Sequence, residues 1–333
     1  MAIFLNILFL VIGMVLLIKG ADFFVSGASE IAKRLKVPSL FIGLTIVALG
    51  TSLPELSVSV TSAISKNMDL SVGNVVGSNL FNMLLILGLV AVFSPVPMSR
   101  SSKKIDFPFL IAITGMLLLF SLDMILDGAS SNMLSRVESI LFLIVLILYI
   151  YILIFNAQKK RKEKLLKNME DVQSSEPQEK RLKVWQIIVY VLVGLAAVVF
   201  GGECVSTTAT YLAIEMGMSE ALVGLTIVAL GTSLPELATS VMAAKKGEND
   251  IALGNVIGSN IINISLILGA VGIIGQVPVS AVILTDIAIL FVSTIIFTVF
   301  CVTRDSISKK EGIVFLIMYF AYIAFAIIRN YCF

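Results

Sequence analysis

The chain has 333 residues, of which 58% are hydrophobic and 14% charged, against roughly 25% charged in an ordinary soluble domain, which excludes a soluble protein. The formal net charge of +2 gives no reason to expect a nucleic-acid or acidic partner. Histidine is absent, which removes imidazole metal ligands, imidazole proton relays and His-dependent nucleophilic triads.

The first segment, MAIFLNILFLVIGMVLLIK, is apolar from its second residue and has neither a basic n-region nor a small-residue cleavage site, so a retained helix is expected. Apolar runs separated by polar breaks give ten candidate spans: about 2–32, 37–64, 70–93, 105–122, 138–156, 184–213, 220–244, 250–274, 282–302 and 311–330. The expected fold class is an all-α membrane protein with ten transmembrane helices, a multi-pass integral protein of the cell membrane with the lipid bilayer as its surroundings. The first and sixth spans, about 30 residues each, exceed a perpendicular crossing and should tilt, which makes them candidate sliding elements. Cys204, Cys301 and Cys332 match neither a disulfide framework nor a zinc spacing and read as membrane-buried thiols.

Basic residues fall in alternate loops. One side receives Lys33, Arg34 and Lys36, then Arg100, Lys103 and Lys104, then KKRKEKLLK at 159–167, Lys180, Arg181 and Lys183, then Lys245 and Lys246, then Arg304, Lys309 and Lys310; the other receives only Lys66, Arg136 and Arg329. The positive-inside rule places the rich side in the cytoplasm and both termini outside. Residues 157–183, rich in Lys, Glu, Gln and Ser, read as a cytoplasmic linker with a frayed helical start.

The chain repeats itself. GLTIVALGTSLPEL at 43–56 recurs letter for letter at 224–237, an offset of 181 that persists through GNVVGSNLFN at 73–82 and GNVIGSNIIN at 254–263, with 29 identities in 46 positions from 43 to 88. This divides the chain into a first five-helix repeat (1–156), the linker, and a second five-helix repeat (184–333). Five spans is an odd number, so the second repeat enters the membrane from the opposite side. Inverted repeats of this kind build secondary transporters, with the substrate site near the midplane at broken helices.

Glu55 is the one ionisable residue between Pro38 and Ile64, and Glu236 the one between Ala221 and Ala244. A carboxylate in mid-span costs at least a few kcal/mol to insert and by default marks an ion path. Pro54 and Pro235 cannot donate to the carbonyl four residues back, which is expected to free backbone oxygens at Gly50 and Gly231. Thr51, Ser52, Thr232 and Ser233 add hydroxyls, and the next spans add Asn74, Ser78, Asn79 and Asn82 with Asn255, Ser259, Asn260 and Asn263. All are hard oxygen donors, suited to Ca2+ or to Na+. Competition of the two ions for one pair of glutamates would itself be an exchange mechanism. Taken singly, the Asn and Ser residues and the Gly-x-x-x-Gly at 73–77 and 254–258 are equally helix-packing signals.

Asp22 and Glu203 are also repeat-related, but fall near the two membrane faces, where they either gather cations or serve as snorkelling or capping groups. The repeat holds no nucleophile with an adjacent base, so no enzyme activity is expected. A cation channel with the glutamates as filter is the reading from another class.

GTSLPEL followed by GNVVGSN, and again by GNVIGSN, resembles the paired α-repeats of the sodium/calcium exchanger family within the cation/calcium exchanger superfamily, and the short loop resembles its prokaryotic members. The resemblance implies an antiporter of Na+ and Ca2+, both substrates, with no cofactor, no nucleic acid and no obligate protein partner. Residue by residue, Glu55 and Glu236 with the backbone oxygens of Thr51 and Thr232 resemble the calcium site. The sodium sites would draw on the carbonyls of Ala48 and Ala229 and on Ser52, Ser233, Ser78 and Ser259, with Asn82 and Asn263 completing the centre. Some members, including the potassium-dependent branch, carry Asp where Asn263 stands, so two central carboxylates favour potassium independence. Calcium/proton exchangers of the superfamily typically show GNxxE where this chain has GTSLPE; that branch is the alternative.

Overall fold

The computed structural model describes residues 2–126, 131–170, 182–217 and 229–332. In chain order its main helices are α1 (Ala2–Leu35), the bent pair α2 (Ser39–Thr51) and α3 (Leu53–Ile64), α4 (Met68–Phe93), α5 (Asp106–Phe120) and α6 (Arg136–Glu170). They continue with α7 (Val184–Glu215), α8 (Leu234–Lys245), α9 (Asn249–Ile274), α10 (Ala281–Thr303) and α11 (Lys309–Cys332). Among the described residues four two-residue strands lie in the loops: β1 (Val96–Pro97), β2 (Met133–Leu134), β3 (Val277–Pro278) and β4 (Ser306–Ile307).

Seven helices among the described residues are long and apolar enough to cross a membrane, and the pair α2–α3, bent by 45°, makes an eighth. Two expected spans are not among these. The span at 105–122 is the 15-residue α5, about 22 Å long at ~1.5 Å per residue, short of a hydrocarbon core of about 30 Å. Of the span at 220–244, residues 220–228 lie outside the described residues. The helix of the fifth span continues as α6 to Glu170, well into the expected linker, and linker residues 171–181 lie outside the described residues.

α1 stops where its sequence says it should. Lys33 and Arg34 in its last turn meet the negative end of the helix dipole. Lys36 takes a left-handed conformation (φ 56°), Val37 N–H closes back on Ala32 O at 3.1 Å, and Pro38 cannot continue the helix.

α1 and α7 pack together along their length. Gly13 lies against Cys204 and Gly27 against Val191, so the two helices run antiparallel. Contact is backbone-close: a Cβ on Gly194 would stand 2.5 Å from Phe24 N, which is the use of small residues between membrane helices. Large apolar side chains such as Phe4, Leu192, Phe200, Ile147 and Tyr151 on α1, α7 and α6 are exposed. An apolar band of this kind suits lipid, not water.

α4 and α9, which carry the GNVVGSN and GNVIGSN motifs, form the interior. Val72, Val75 and Leu80 of α4 and Val256, Ile257 and Ile261 of α9 are fully buried. Each helix contains a π-helical segment directly after its motif, Phe81–Ile86 and Asn263–Leu268, and a third lies in α2 at Gly43–Val47. Such wide turns recur at functional sites because they redirect side chains and loosen the backbone ladder.

The strands tie the halves crosswise. β1 pairs antiparallel with β4, and β2 with β3. Lys103 adds an ion pair to Asp305 at 3.2 Å beside β1–β4. Asp286 of α10 and Arg329 of α11 form a two-pronged ion pair, both contacts at 2.9 Å, and the buried Asp106 accepts from Tyr149 Oη at 3.0 Å. Cys204 and Cys301 are free thiols, the latter buried.

Candidate ion-binding site

Each central glutamate is carried inward by a helix that breaks just before it. Ser52 leaves the helical region (φ −83°, ψ 6°) between α2 and α3, and Ser233 does the same (φ −92°, ψ 5°) before α8. Pro54 and Pro235 follow in the first turn of the new helix, where a missing N–H costs nothing. Glu55 and Glu236 therefore sit in the first turns of α3 and α8, near the positive ends of those helix dipoles, and both are 0% exposed. One expectation is corrected: the Gly50 carbonyl is not left free by Pro54, because a backbone N–H of the cap at Ser52 bonds it as the chain turns.

The serines at the breaks reach across the molecule. Ser233 Oγ donates to Glu55 Oε1 at 2.8 Å, and Ser52 Oγ donates to Glu236 Oε1 at 3.1 Å. Ser233 Oγ also lies 3.0 Å from Ser78 Oγ, which brings Ser78 to the site.

Asn74 and Asn255 are committed to the protein itself. Asn255 Nδ2 donates to Ser240 Oγ (2.9 Å) and to the Glu236 carbonyl (3.4 Å), while its Oδ1 accepts from Thr51 Oγ1 (3.0 Å). Asn74 repeats this with Ser59 (3.1 Å), the Glu55 carbonyl (3.5 Å) and Thr232 Oγ1 (3.3 Å). Each asparagine brackets a broken helix to its neighbour and holds a glutamate backbone in place. Asn79 is similarly occupied, donating to the Asn260 carbonyl at 3.2 Å and accepting from Asn263 Nδ2 at 3.0 Å.

What remains at the centre, among the described residues, is a set of buried side-chain atoms with no partner: Glu55 Oε2, Glu236 Oε2, Asn263 Oδ1, Ser259 Oγ and both amide atoms of Asn82 and Asn260. Leaving such atoms unsatisfied costs about 1–3 kcal/mol each, more when charged. No ion pair reaches Glu55 or Glu236 among the described residues. Two buried carboxylates without a basic side chain call for a cation, and the donor set is all oxygen. Thr51, Ser52 and Ala48 are also buried, Thr232 is half-buried, and Ala229 begins the described part of its segment.

A family model described as "Sodium/calcium exchanger protein" matches residues 5–155 and 186–328. The chain belongs to the sodium/calcium exchanger family. The sodium/calcium exchanger MaX1 of Methanosarcina acetivorans is 34% identical, with 96% of this chain and 97% of that protein covered. CaxA of Alkalimonas amylolytica is 40% identical over 82% of each chain. A solved structure of the sodium-calcium exchanger NCX_Mj, soaked with zero Na+ and Ca2+, superposes with a TM-score of 0.82 at 30% identity, covering 97% of this chain and 99% of that one. Like other exchangers of the family, the protein is an all-helical, multi-pass integral membrane protein.

Sequence reasoning identified the two exchanger motifs but missed two features of their setting. It did not foresee that each break serine serves the glutamate of the other half, although residues close to a two-fold axis meet their mates' neighbours. It also left Asp22 as a cation collector or cap. The structure pairs Asp22 with Lys246 at 2.6 Å.

Proposed function

We propose that the protein is a secondary active antiporter that exchanges Na+ for Ca2+ across a membrane, by alternating access around a site built from Glu55 and Glu236. The observation that carries this reading is the pair of fully buried carboxylates, each bonded by a serine of the opposite half and each left with an unpartnered oxygen. One Ca2+ or two Na+ balance the two negative charges, so the ions exclude one another. Thr51 and Thr232 carbonyls complete the Ca2+ site. The carbonyls of Ala48 and Ala229, with Ser52, Ser233, Ser78 and Ser259, serve Na+, and Asn82 and Asn263 close the centre. The exchanger family and the NCX_Mj likeness support this assignment.

The architecture behind it is ten transmembrane helices in two inverted repeats, 1–156 and 184–333, joined by a cytoplasmic linker at 157–183, with both termini outside. The antiparallel course of α1 and α7, which correspond at the 181-residue offset, supports the inversion. The strands support the short crossing by α5. α10 runs from β3 to β4, and α5 runs from β4's partner β1 to β3's partner β2, so both helices connect the same two ends.

The test is radiocalcium uptake into proteoliposomes loaded with Na+ and diluted into Na+-free buffer. Uptake that requires the outward Na+ gradient, and not K+ or a pH gradient, is expected. Uptake driven by a proton gradient alone would replace Na+ by H+ as the coupling ion.

A further inference from the structure

The 181-residue offset lets each end of the molecule be compared with the other. At one end Lys246, in the turn between α8 and α9, forms an ion pair with Asp22 Oδ1 of α1 at 2.6 Å and also donates to the Asp22 carbonyl and to Ser26 Oγ. Two residues on, Glu248 accepts a hydrogen bond from Ser29 of α1. Three positions of α1, one turn apart, are thus fastened to that turn.

The equivalent positions at the other end are Glu203, Thr207 and Thr210 of α7, with Ser65 and Asn67 in the turn between α3 and α4. No such fastening exists there among the described residues. Among the described residues Glu203, which is exposed, is bonded only by Thr207 at 3.4 Å, one turn along its own helix, and the buried Thr210 Oγ1 has no partner. Serine stands at the position of Lys246, and the neighbouring Lys66, which corresponds to Gly247, is exposed and forms no ion pair among the described residues.

Around the glutamates the fastened side is closed: Thr51 and Asn255 are 0% exposed and Gly254 and Gly258 are buried. The fastened side is the one that the excess of Lys and Arg assigns to the cytoplasm.

We propose that Lys246 is a positioning residue for transport, a latch that holds α1 on the α8–α9 turn and keeps the cytoplasmic side of the site closed. Because Ser65 offers no counterpart, the outward-accessible state is the more populated of the two. This rests on the alternating-access reading above. Two inverted halves of identical sequence would give two states of equal free energy, and only residues that break the repeat can bias them. A contact made in one state alone shifts the equilibrium by its own strength. For a partly exposed ion pair that is a factor of about two to five.

Hydrogen–deuterium exchange on the protein in lipid nanodiscs tests this without any ion flux. In K246S, backbone amides at 245–252 should exchange about two- to fivefold faster and those at 65–77 correspondingly slower, as protection moves from one end to the other. S65K, which offers Glu203 a partner, should shift protection in the same direction, and S65K/E203Q should not. Faster exchange confined to 245–252, with no change at 65–77 in either variant, would overturn the latch and leave a local tie. End-to-end shifts in a protein that carries no Ca2+ would leave the latch standing and sink the ion assignment. Na+-driven Ca2+ uptake with unmoved protection would sink the latch alone.

Discussion

Ser233 lies 178 positions from Glu55 and donates its hydroxyl to that carboxylate at 2.8 Å, while Ser52 makes the reciprocal bond to Glu236 at 3.1 Å. The two broken helices thus share one polar centre to which each half contributes a charge and a donor. Both serines are Na+ ligands in the proposed site as well as donors to the carboxylates, so Ser52→Ala and Ser233→Ala should each raise the Na+ needed to drive Ca2+ uptake by roughly 5- to 150-fold, the equivalent of about 1–3 kcal/mol. The Na+ dependence of uptake into liposomes would measure it. Equal shifts in the two variants are expected from the reciprocal geometry.

Glu55→Gln and Glu236→Gln remove charge while keeping shape. A unit-charge pair about 4 Å apart at an effective dielectric near 20 interacts by ~4 kcal/mol, so either change should cost roughly a thousandfold in Ca2+ affinity and nearly abolish flux. Folding should survive, since both carboxyls are buried without ionic partners among the described residues. Wild-type flux in either variant would contradict a shared site.

Asn255 and Asn263 should separate structure from binding. Asn255 holds Ser240, Thr51 and the Glu236 backbone together, so Asn255→Ala leaves buried groups unpaired and should lower stability by about 1–3 kcal/mol. Asn263 has one amide bond to Asn79 and a free Oδ1. Asn263→Ala should weaken ion binding with a smaller stability loss. Thermal unfolding in detergent, with and without Ca2+, distinguishes the two.

Gly258 sets how closely α9 approaches α2. A Cβ there would stand 2.7 Å from Ala48 Cβ and 2.8 Å from the Leu44 carbonyl. Gly258→Ala must push the helices apart, at about 1–3 kcal/mol of overpacking, and displaces the Ala48 backbone that the sodium site would use. A lowered melting temperature together with a raised Na+ requirement for Ca2+ uptake is the expected outcome.

The 157–183 linker should be dispensable as a covalent tie. The two halves interlock through β1–β4, β2–β3, α1 against α7 and the crossed serine bonds. Coexpressed fragments 1–156 and 184–333 should assemble and retain part of the Na+-driven uptake, with the liposome assay as readout.

The sequence by itself determined the membrane class, the doubled motif and the two glutamates that the structure buries. Apolar runs and isolated mid-span charges have transfer free energies that do not depend on partners, and a repeat is visible as letters. Through Pro54 and Pro235 it also marked the segments that break, although it expected freed carbonyls at Gly50 and Gly231 where the chain turns at Ser52 and Ser233. The 15-residue α5 was legible only as an apolar run at 105–122. Only the tertiary structure decided that Ser233 serves Glu55, that Asn74 and Asn255 are brackets, and that Asp22 belongs to Lys246, 224 positions away. A hydroxyl, amide or carboxylate carries the same bonding capacity in any sequence context. Which partner it meets depends on how the helices cross, and that is fixed by packing at close-approach residues such as Gly194 and Gly258.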